Sequence, residues 1–255
     1  MTRWKLTVEY NGDAYAGWQR QANGPSIQQS MEDAVFRFCG EETRVHGSGR
    51  TDAGVHALGQ VAHVDIEKPA DAHTVREALN AHMRDEDIVV TEAVSVSTDF
   101  HARVSAVERS YIYRILNRRS RPALEAGRVW HVPLPLDTNA MNDAAQMLVG
   151  RHDFTSFRAA MCQAKSPIRT VEELRVTRLG DEVHILARAR SFLHHQIRNF
   201  AGSLELVGSG KWTAADVSVA LAAKSRSAAG PTAPPGGLYL LKVRYSSADK
   251  GQPLE

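Results

Sequence analysis

Sulfur ligands are scarce in this sequence. It holds two cysteines, Cys39 and Cys162, far apart and in no Cys-x-x-Cys spacing. That argues against a disulfide framework and against a zinc knuckle, and leaves two reduced thiols. No run of about eighteen apolar residues occurs, so no helical membrane span is expected. The stretch Met1 to Asp13 alternates and carries charge where a secretory signal would have an apolar centre, so the expected location is cytoplasmic. Net charge is small too, at +2, and points to no partner. Lysine is sparse: seven residues, which leaves 24 of the 31 basic side chains as arginine. Arginine offers a flat fork that suits phosphate and stacks on rings. Five arginines, at 109, 114, 118, 119 and 121, crowd one segment. A solvated surface explains such a cluster as well as an RNA contact does.

What is present is ordinary globular material. With 43% hydrophobic and 24% charged residues over 255 positions, the chain can bury one large core or two small ones. Leu6, Val8 and Tyr10 alternate with polar neighbours and predict a half-buried strand ending at Asn11-Gly12. Ser26 and Gln29 predict a capping box opening a helix with Ile27, Met31, Ala34, Val35 and Phe38 on its apolar stripe, stopped by Gly40. Strands are expected at Gly59 to Ile66, Ile88 to Val96, Tyr111 to Leu116 and Leu238 to Tyr245, and a hairpin at Val171 to Val176 and Val183 to Arg190. Helices are expected near Thr74 to His82, after the cap Asp137, along Leu193 to Val207, and at Thr213 to Ala223. Strands and helices thus alternate in two similar halves, each carrying an Asp-Phe…Arg pattern, at Asp99-Phe100 and Asp153-Phe154. The pattern fits antiparallel sheets with helices on one face, an α+β class, with a boundary near residue 105. The Ser, Ala, Pro and Gly-rich stretch Ser225 to Gly237 reads as a loop that shapes a cleft.

One loop asks for a chemical explanation: Gly47-Ser48-Gly49-Arg50-Thr51-Asp52-Ala53-Gly54-Val55-His56. It lacks the lysine and the spacing of a P-loop, and its glycines do not form a dinucleotide fingerprint. A metal site would draw on Asp52 and His56 with His46 or His63, but no closed ligand set at short spacing is visible. His194 and His195, read as helical, would point about 100° apart. What is left is a rigid turn that presents Asp52, with Arg50 beside it to keep the carboxylate ionised and aimed. Such a carboxylate suits nucleophilic or base chemistry; an Asp that only bonds its own turn fits equally well.

The stretch Gly49 to Ala57 resembles the signature loop of the tRNA pseudouridine synthase A (TruA) family. The resemblance runs from about residue 4 to 245. It takes in Tyr10-Asn11-Gly12, Gly17-Trp18-Gln19-Arg20-Gln21, Gly59-Gln60-Val61 and Asp99-Phe100-His101-Ala102-Arg103. It continues through Tyr111-Ile112-Tyr113, Asp153 to Phe157, Phe192 to Asn199 and Gly237-Leu238-Tyr239-Leu240.

The resemblance implies an isomerase that converts uridine to pseudouridine in the anticodon stem-loop of tRNA, at positions 38, 39 and 40. It implies no organic cofactor and no catalytic metal, tRNA as partner, and a homodimer. It implies two ferredoxin-like α/β halves with an RNA cleft between them: residues 1–104 with the catalytic loop, 105–247 with the tyrosine strand and arginine helix, and a tail at 248–255. Asp52 would be the catalytic carboxylate and Arg198 its arginine partner. Tyr111 would pack against the target base, Arg50 would contact a phosphate or brace the loop, and Leu238 would add an apolar wall. By pattern alone a core aromatic is the stronger reading of Tyr111, and a solvated helix arginine the stronger reading of Arg198. Further phosphate contacts are expected among Arg114 to Arg121, Lys165 and Arg169. Two departures stand out: Arg109-Ser110-Tyr111-Ile112 lacks cations common in the family beside the tyrosine, and Lys224-Ser225-Arg226 replaces Lys-Asp-Arg. Two further classes compete, an RNA-binding protein without turnover and a metal-dependent nuclease or phosphatase.

Overall fold

A computed structural model describes residues 1–22 and 24–246; the expected tail at 248–255 lies outside the described residues. The chain divides into two units, one of Met1–Arg109 with the segment from Tyr239 on, the other of Ser110–Leu238.

In the first unit the elements are β1 (Thr2–Tyr10), α1 (Ile27–Cys39), β2 (His46–Gly47), β3 (His56–Ile66), α2 (Ala72–His82) and β4 (Ile88–Val96). The second unit takes the chain over inside β5 (Ala106–Leu116) and continues with β6 (Trp130–His131), α3 (Thr138–Gln146), β7 (Gly150–Asp153), β8 (Ile168–Leu179), β9 (Glu182–Ala189), α4 (Gln196–Gly208) and α5 (Ala214–Ala223). The last strand, β10 (Leu238–Tyr245), returns to the first unit.

The first unit's strands run in the order β4-β1-β3-β10, with β2 beside β3. β1 is antiparallel to both β3 and β4, and β10 is parallel to β3. The alternation read in β1 places Trp4, Leu6, Val8 and Tyr10 in the core. β3 is buried along nearly its whole length, so both of its faces are covered. α1 buries Ile27, Met31, Ala34 and Val35; the three larger side chains are worth about 1.5–3 kcal/mol each. Phe38, expected on that stripe, is half-buried at its edge, with the Lys68 ammonium 4.3 Å from its ring centre. Gly40 ends the helix at φ 77°, and its N–H donates to Phe36.

The second unit's strands run β5-β9-β8-β7. α3 packs on β8 and on α4. The hairpin expected between Val171 and Arg190 is β8–β9, antiparallel. The α+β class with mostly antiparallel strands is therefore as read. Both Asp-Phe phenylalanines are core anchors: Phe100 lies 5.0 Å from Tyr245, and Phe154 packs with Phe157 and Phe200.

Three local readings need correction. The cap of α1 is half of a capping box: Ser26 accepts from the Gln29 N–H at 3.3 Å, with no return bond from the Gln29 side chain. The full box belongs to α5, between Thr213 and Asp216. The long C-terminal helix starts at Gln196, not Leu193. His195 precedes it with φ 63°, and the Gln196 side chain accepts from the Leu193 N–H at 2.8 Å, closing a turn ahead of the helix. His194 and His195 are therefore not helical; their rings meet at 4.0 Å, tilted by 44°.

Candidate active site

The loop from Gly47 to His56 is pinned on both sides of Asp52 by side chains from neighbouring elements. On its N-terminal side, the Ser48 N–H donates to Val61 at 2.7 Å and its hydroxyl to Gln60 Oε1 at 2.7 Å. Gln60 Nε2 returns a bond to the Gly49 carbonyl at 2.8 Å. Arg109 Nη2 donates to the Ser48 carbonyl at 2.7 Å. On the other side, the Tyr10 hydroxyl and Thr51 Oγ1 are 2.8 Å apart, and the Thr51 carbonyl accepts from the Trp18 N–H at 3.1 Å. The Val55 N–H closes a turn onto the Asp52 carbonyl at 3.2 Å, with Gly54 at φ 73°. The Gly12 N–H donates to His56 Nδ1 at 3.0 Å. Asp52 itself is half-buried between the buried Thr51 and an exposed turn.

The glycines that matter most lie outside the loop. A Cβ on Gly12 would sit 2.1 Å from the Val55 carbonyl oxygen. One on Gly17, which has φ 105°, would sit 2.6 Å from that of Thr51. The Tyr-Asn-Gly and Gly-Trp motifs near the N-terminus are therefore the seat on which the loop rests. Arg50 is exposed and has no hydrogen-bond or ion-pair partner among the described residues. The bracing expected of it comes instead from Gln60 and Arg109.

The histidines weighed as ligands are engaged in packing. His56 stacks on Tyr239 with centroids 4.7 Å apart. His63 stacks on His46 at 4.9 Å and accepts the Ala102 N–H on Nδ1 at 3.2 Å. Burial, and then the neighbouring His46 and His101, push the His63 pKa down to about 4.

Tyr111, Arg198 and Leu238 belong to the second unit. Tyr111 and Tyr113 point to one face of β5, as period two predicts, and both are buried. The Phe192 ring meets Tyr111 edge-on at 5.5 Å. Arg198 stands on α4 and donates from Nε to the Ala233 carbonyl at 2.8 Å, while its own carbonyl accepts the Ala233 N–H at 3.1 Å. The next carbonyl, of Pro234, takes the Tyr113 hydroxyl at 2.8 Å. Burial raises the pKa of that phenol well above its ordinary value, so it stays protonated as a donor. Gly237 passes so close that a Cβ would lie 2.7 Å from the Tyr113 ring. Leu238 follows, buried, at the start of β10. One segment, Ala233 to Leu238, thus links the arginine helix to the tyrosine strand.

Sequence reasoning passed over the residues that build this frame. Asn199 donates to the Phe157 carbonyl at 2.8 Å and accepts from Arg226 and Thr232. Arg226 also holds the Ala229 and Gly230 carbonyls. The departure at Lys224-Ser225-Arg226 leaves this brace intact. The proposed phosphate cluster is partly spent: Arg114 pairs with Glu125 at 2.9 Å and Glu182 at 2.8 Å, and Arg118 with Asp181 at 3.4 Å.

The comparisons bear on the identity of this frame. A sequence model described as tRNA pseudouridine synthase matches residues 6–104 and 144–246. A tRNA pseudouridine synthase A from Rhodospirillum rubrum is 64% identical over 96% of this chain and 88% of its own. Proteins of the same name from Rhodospirillum centenum and Parvibaculum lavamentivorans are 60% and 57% identical, each covering 96% of this chain and all of the relative. A crystal structure of a Cbf5-Nop10-Gar1 complex overlays 79% of this chain at 12% identity with a TM-score of 0.34, too loose to carry an argument. Identity this high over nearly the whole length shows that the chain belongs to the tRNA pseudouridine synthase family, isomerases that turn uridine into pseudouridine in tRNA.

Proposed function

We propose that this protein isomerises uridine to pseudouridine in the anticodon stem-loop of tRNA, at positions 38, 39 and 40, with Asp52 as the catalytic carboxylate. The observation that carries this reading is the pinning of the Gly47–His56 loop on both flanks of Asp52. A reactive group must be held within a fraction of an ångström of its productive geometry, and rigid supports beside it do that. A turn built only to cap itself needs no buried arginine and glutamine behind it.

The reaction breaks the N1–C1′ bond, turns the uracil and joins C5 to C1′. The C5 proton is lost and N1 gains one, so no atom is added or removed overall. Asp52 serves as nucleophile at C1′ or at the base, or as the base that takes a proton from the sugar. Tyr111, fixed by Phe192, supplies a ring for the detached uracil; stacking on an aromatic is worth about 1–3 kcal/mol per base. Leu238 adds an apolar wall. Arg198, with Nε held by Ala233, orients a carboxylate or a phosphate. Arg50, exposed, meets a phosphate of the RNA. Extruding a stem base costs a few kcal/mol, which phosphate contacts elsewhere offset. The working form is a homodimer in the cytoplasm.

The test uses unmodified tRNA tritiated at uridine C5, in EDTA, with wild type, Asp52→Asn and Asp52→Ala. Tritium release by wild type alone is the expected result. Release by Asp52→Ala at the wild-type rate removes Asp52 from the chemistry. Binding of tRNA by wild type without release points to an RNA-binding protein without turnover. Light scattering on the purified protein reads the dimer.

A further inference from the structure

In the second unit a cavity of about 610 Å³ opens where β7, β8 and the end of β9 meet, and arginine dominates its lining. Arg151 comes from β7, Arg169 from β8, and Arg190 follows β9 directly; Ser166, Thr170 and Ser191 add hydroxyls. The register explains how Arg151 and Arg190 come together, while Arg169, the neighbour of Thr170 on β8, starts from the other face of the strand. Arg151 lies opposite Thr170 across the β7–β8 pair, so the two side chains share a face. Val171 lies opposite Ala189, which brings Arg190 and Ser191 to the same end of the sheet.

Arg169 is set rather than loose. Its Nη1 donates to the carbonyls of Ser166 at 3.0 Å and Ile168 at 2.7 Å. Its Nε is buried and meets no acceptor among the described residues. A buried donor without an acceptor is costly. Arg151 is exposed at the rim. Among the described residues, Glu172 is the one carboxylate in the lining. Ser191 is followed in the chain by Phe192, whose ring abuts Tyr111.

We propose that this groove holds the sugar-phosphate backbone of the tRNA substrate, with Arg151, Arg169 and Arg190 on its phosphate oxygens. The volume suits a nucleotide rather than a lone phosphate. Arginine forks with neighbouring hydroxyls form a backbone-positioning set, not a base-reading one. The groove rests on the reading of the protein as a tRNA isomerase, but not on which residue does the chemistry.

The experiment measures the affinity of the full-length protein for an unmodified tRNA transcript across a range of sodium chloride. It compares wild type with Arg151→Gln, Arg190→Gln, Arg169→Gln and Glu172→Gln, each checked by thermal melting. Each phosphate contact adds roughly 0.7–0.9 to the slope of log affinity against log salt. Each arginine variant is expected to weaken binding by roughly three- to tenfold near physiological salt and to lower the slope by about one. Glu172→Gln is expected to tighten binding by about twofold, since it removes a like charge from the phosphate's path. Arg169→Gln gives up two bonds to its own loop, so the rim variants Arg151→Gln and Arg190→Gln carry the decision if it fails to fold. Unchanged slopes in both of these, or weaker binding by Glu172→Gln, overturn the proposal. So does protection by inorganic phosphate that the arginine variants abolish while their tRNA slopes stay at the wild-type value; that result means a free-anion site. Wild type that binds no tRNA at all sinks the functional reading itself, a distinct outcome.

Discussion

Arg109 reaches from β5 to the carbonyl of Ser48 at 2.7 Å, and the same Nη2 also donates to the carbonyl of Arg103 at 2.9 Å. The side chain is buried. A charged donor buried on carbonyl acceptors is costly to remove, about 1.5–3 kcal/mol. Arg109 is thus a positioning residue for the loop that carries Asp52. Arg109→Ala is expected to lower kcat on tRNA by roughly tenfold or more with little change in KM, and Arg109→Lys to recover part of it. Steady-state kinetics with thermal melts decide the matter. A loss confined to melting temperature, with kcat intact, would make the contact structural only.

Gly17 and Gly40 both have positive φ, at 105° and 77°, yet they should respond very differently to alanine. Among the described residues nothing lies within 4 Å of a Cβ on Gly40, so Gly40→Ala bears only the conformational cost, about 1 kcal/mol. Gly17→Ala adds a clash with the Thr51 backbone. It is expected to cost about 3 kcal/mol or more and to depress turnover through the loop. Urea unfolding and tritium release on both variants test the contrast.

Tyr113→Phe removes the hydroxyl that holds the Pro234 carbonyl and keeps the ring that packs on Gly237. The expected loss is about 1 kcal/mol of stability. A few-fold fall in kcat should accompany it, because the adjacent Ala233 carbonyl is the one that holds Arg198. A fall in stability with turnover untouched would separate this segment from catalysis.

His63 gives the fold a dependence on acid. An unfolded histidine titrates near 6.5, whereas burial and the facing His46, His101 and Arg3 hold His63 neutral down to about 4. Asp65 acts the other way, as the lesser cause. Between those values the unfolded chain binds a proton that the folded chain refuses. Stability therefore falls as pH drops from about 6.5 to 4, and this group adds no further loss below. The loss is about 3 kcal/mol. His46, whose pKa is also lowered chiefly by burial, acts in the same direction. His63→Gln should flatten the dependence of the urea midpoint on pH across that window; a profile as steep as wild type would place the acid sensitivity elsewhere.

Elements whose register is local were legible in the sequence. Ile88–Val96 and Leu238–Tyr245 fall where alternation puts them. Gly40 stops α1 and Asp137 caps α3, because caps and turn residues act within a few positions. The loop around Asp52 stood out by its glycines, and the family resemblance assigned roles to Asp52, Tyr111 and Arg198 that periodicity left open.

What holds those residues was not legible, because it comes from far along the chain. Gly12 and Gly17 look like turn glycines until the loop of Val55 and Thr51 is seen resting on them. Arg109 reads as one more cation in a basic cluster, yet it spends its charge on a carbonyl 61 residues away. Arg114, in the same cluster, is neutralised by Glu182, 68 residues on. The start of α4 moved by three residues because Gln196 bonds back to Leu193 in a turn that the apolar spacing does not encode. Residue types and local spacing determined which segments are strands and helices, and which carboxylate is suspect. Only tertiary packing decided which glycines must be glycine and which arginines are spent on the protein's own carbonyls and carboxylates, since burial and hydrogen-bond partners are properties of the folded chain.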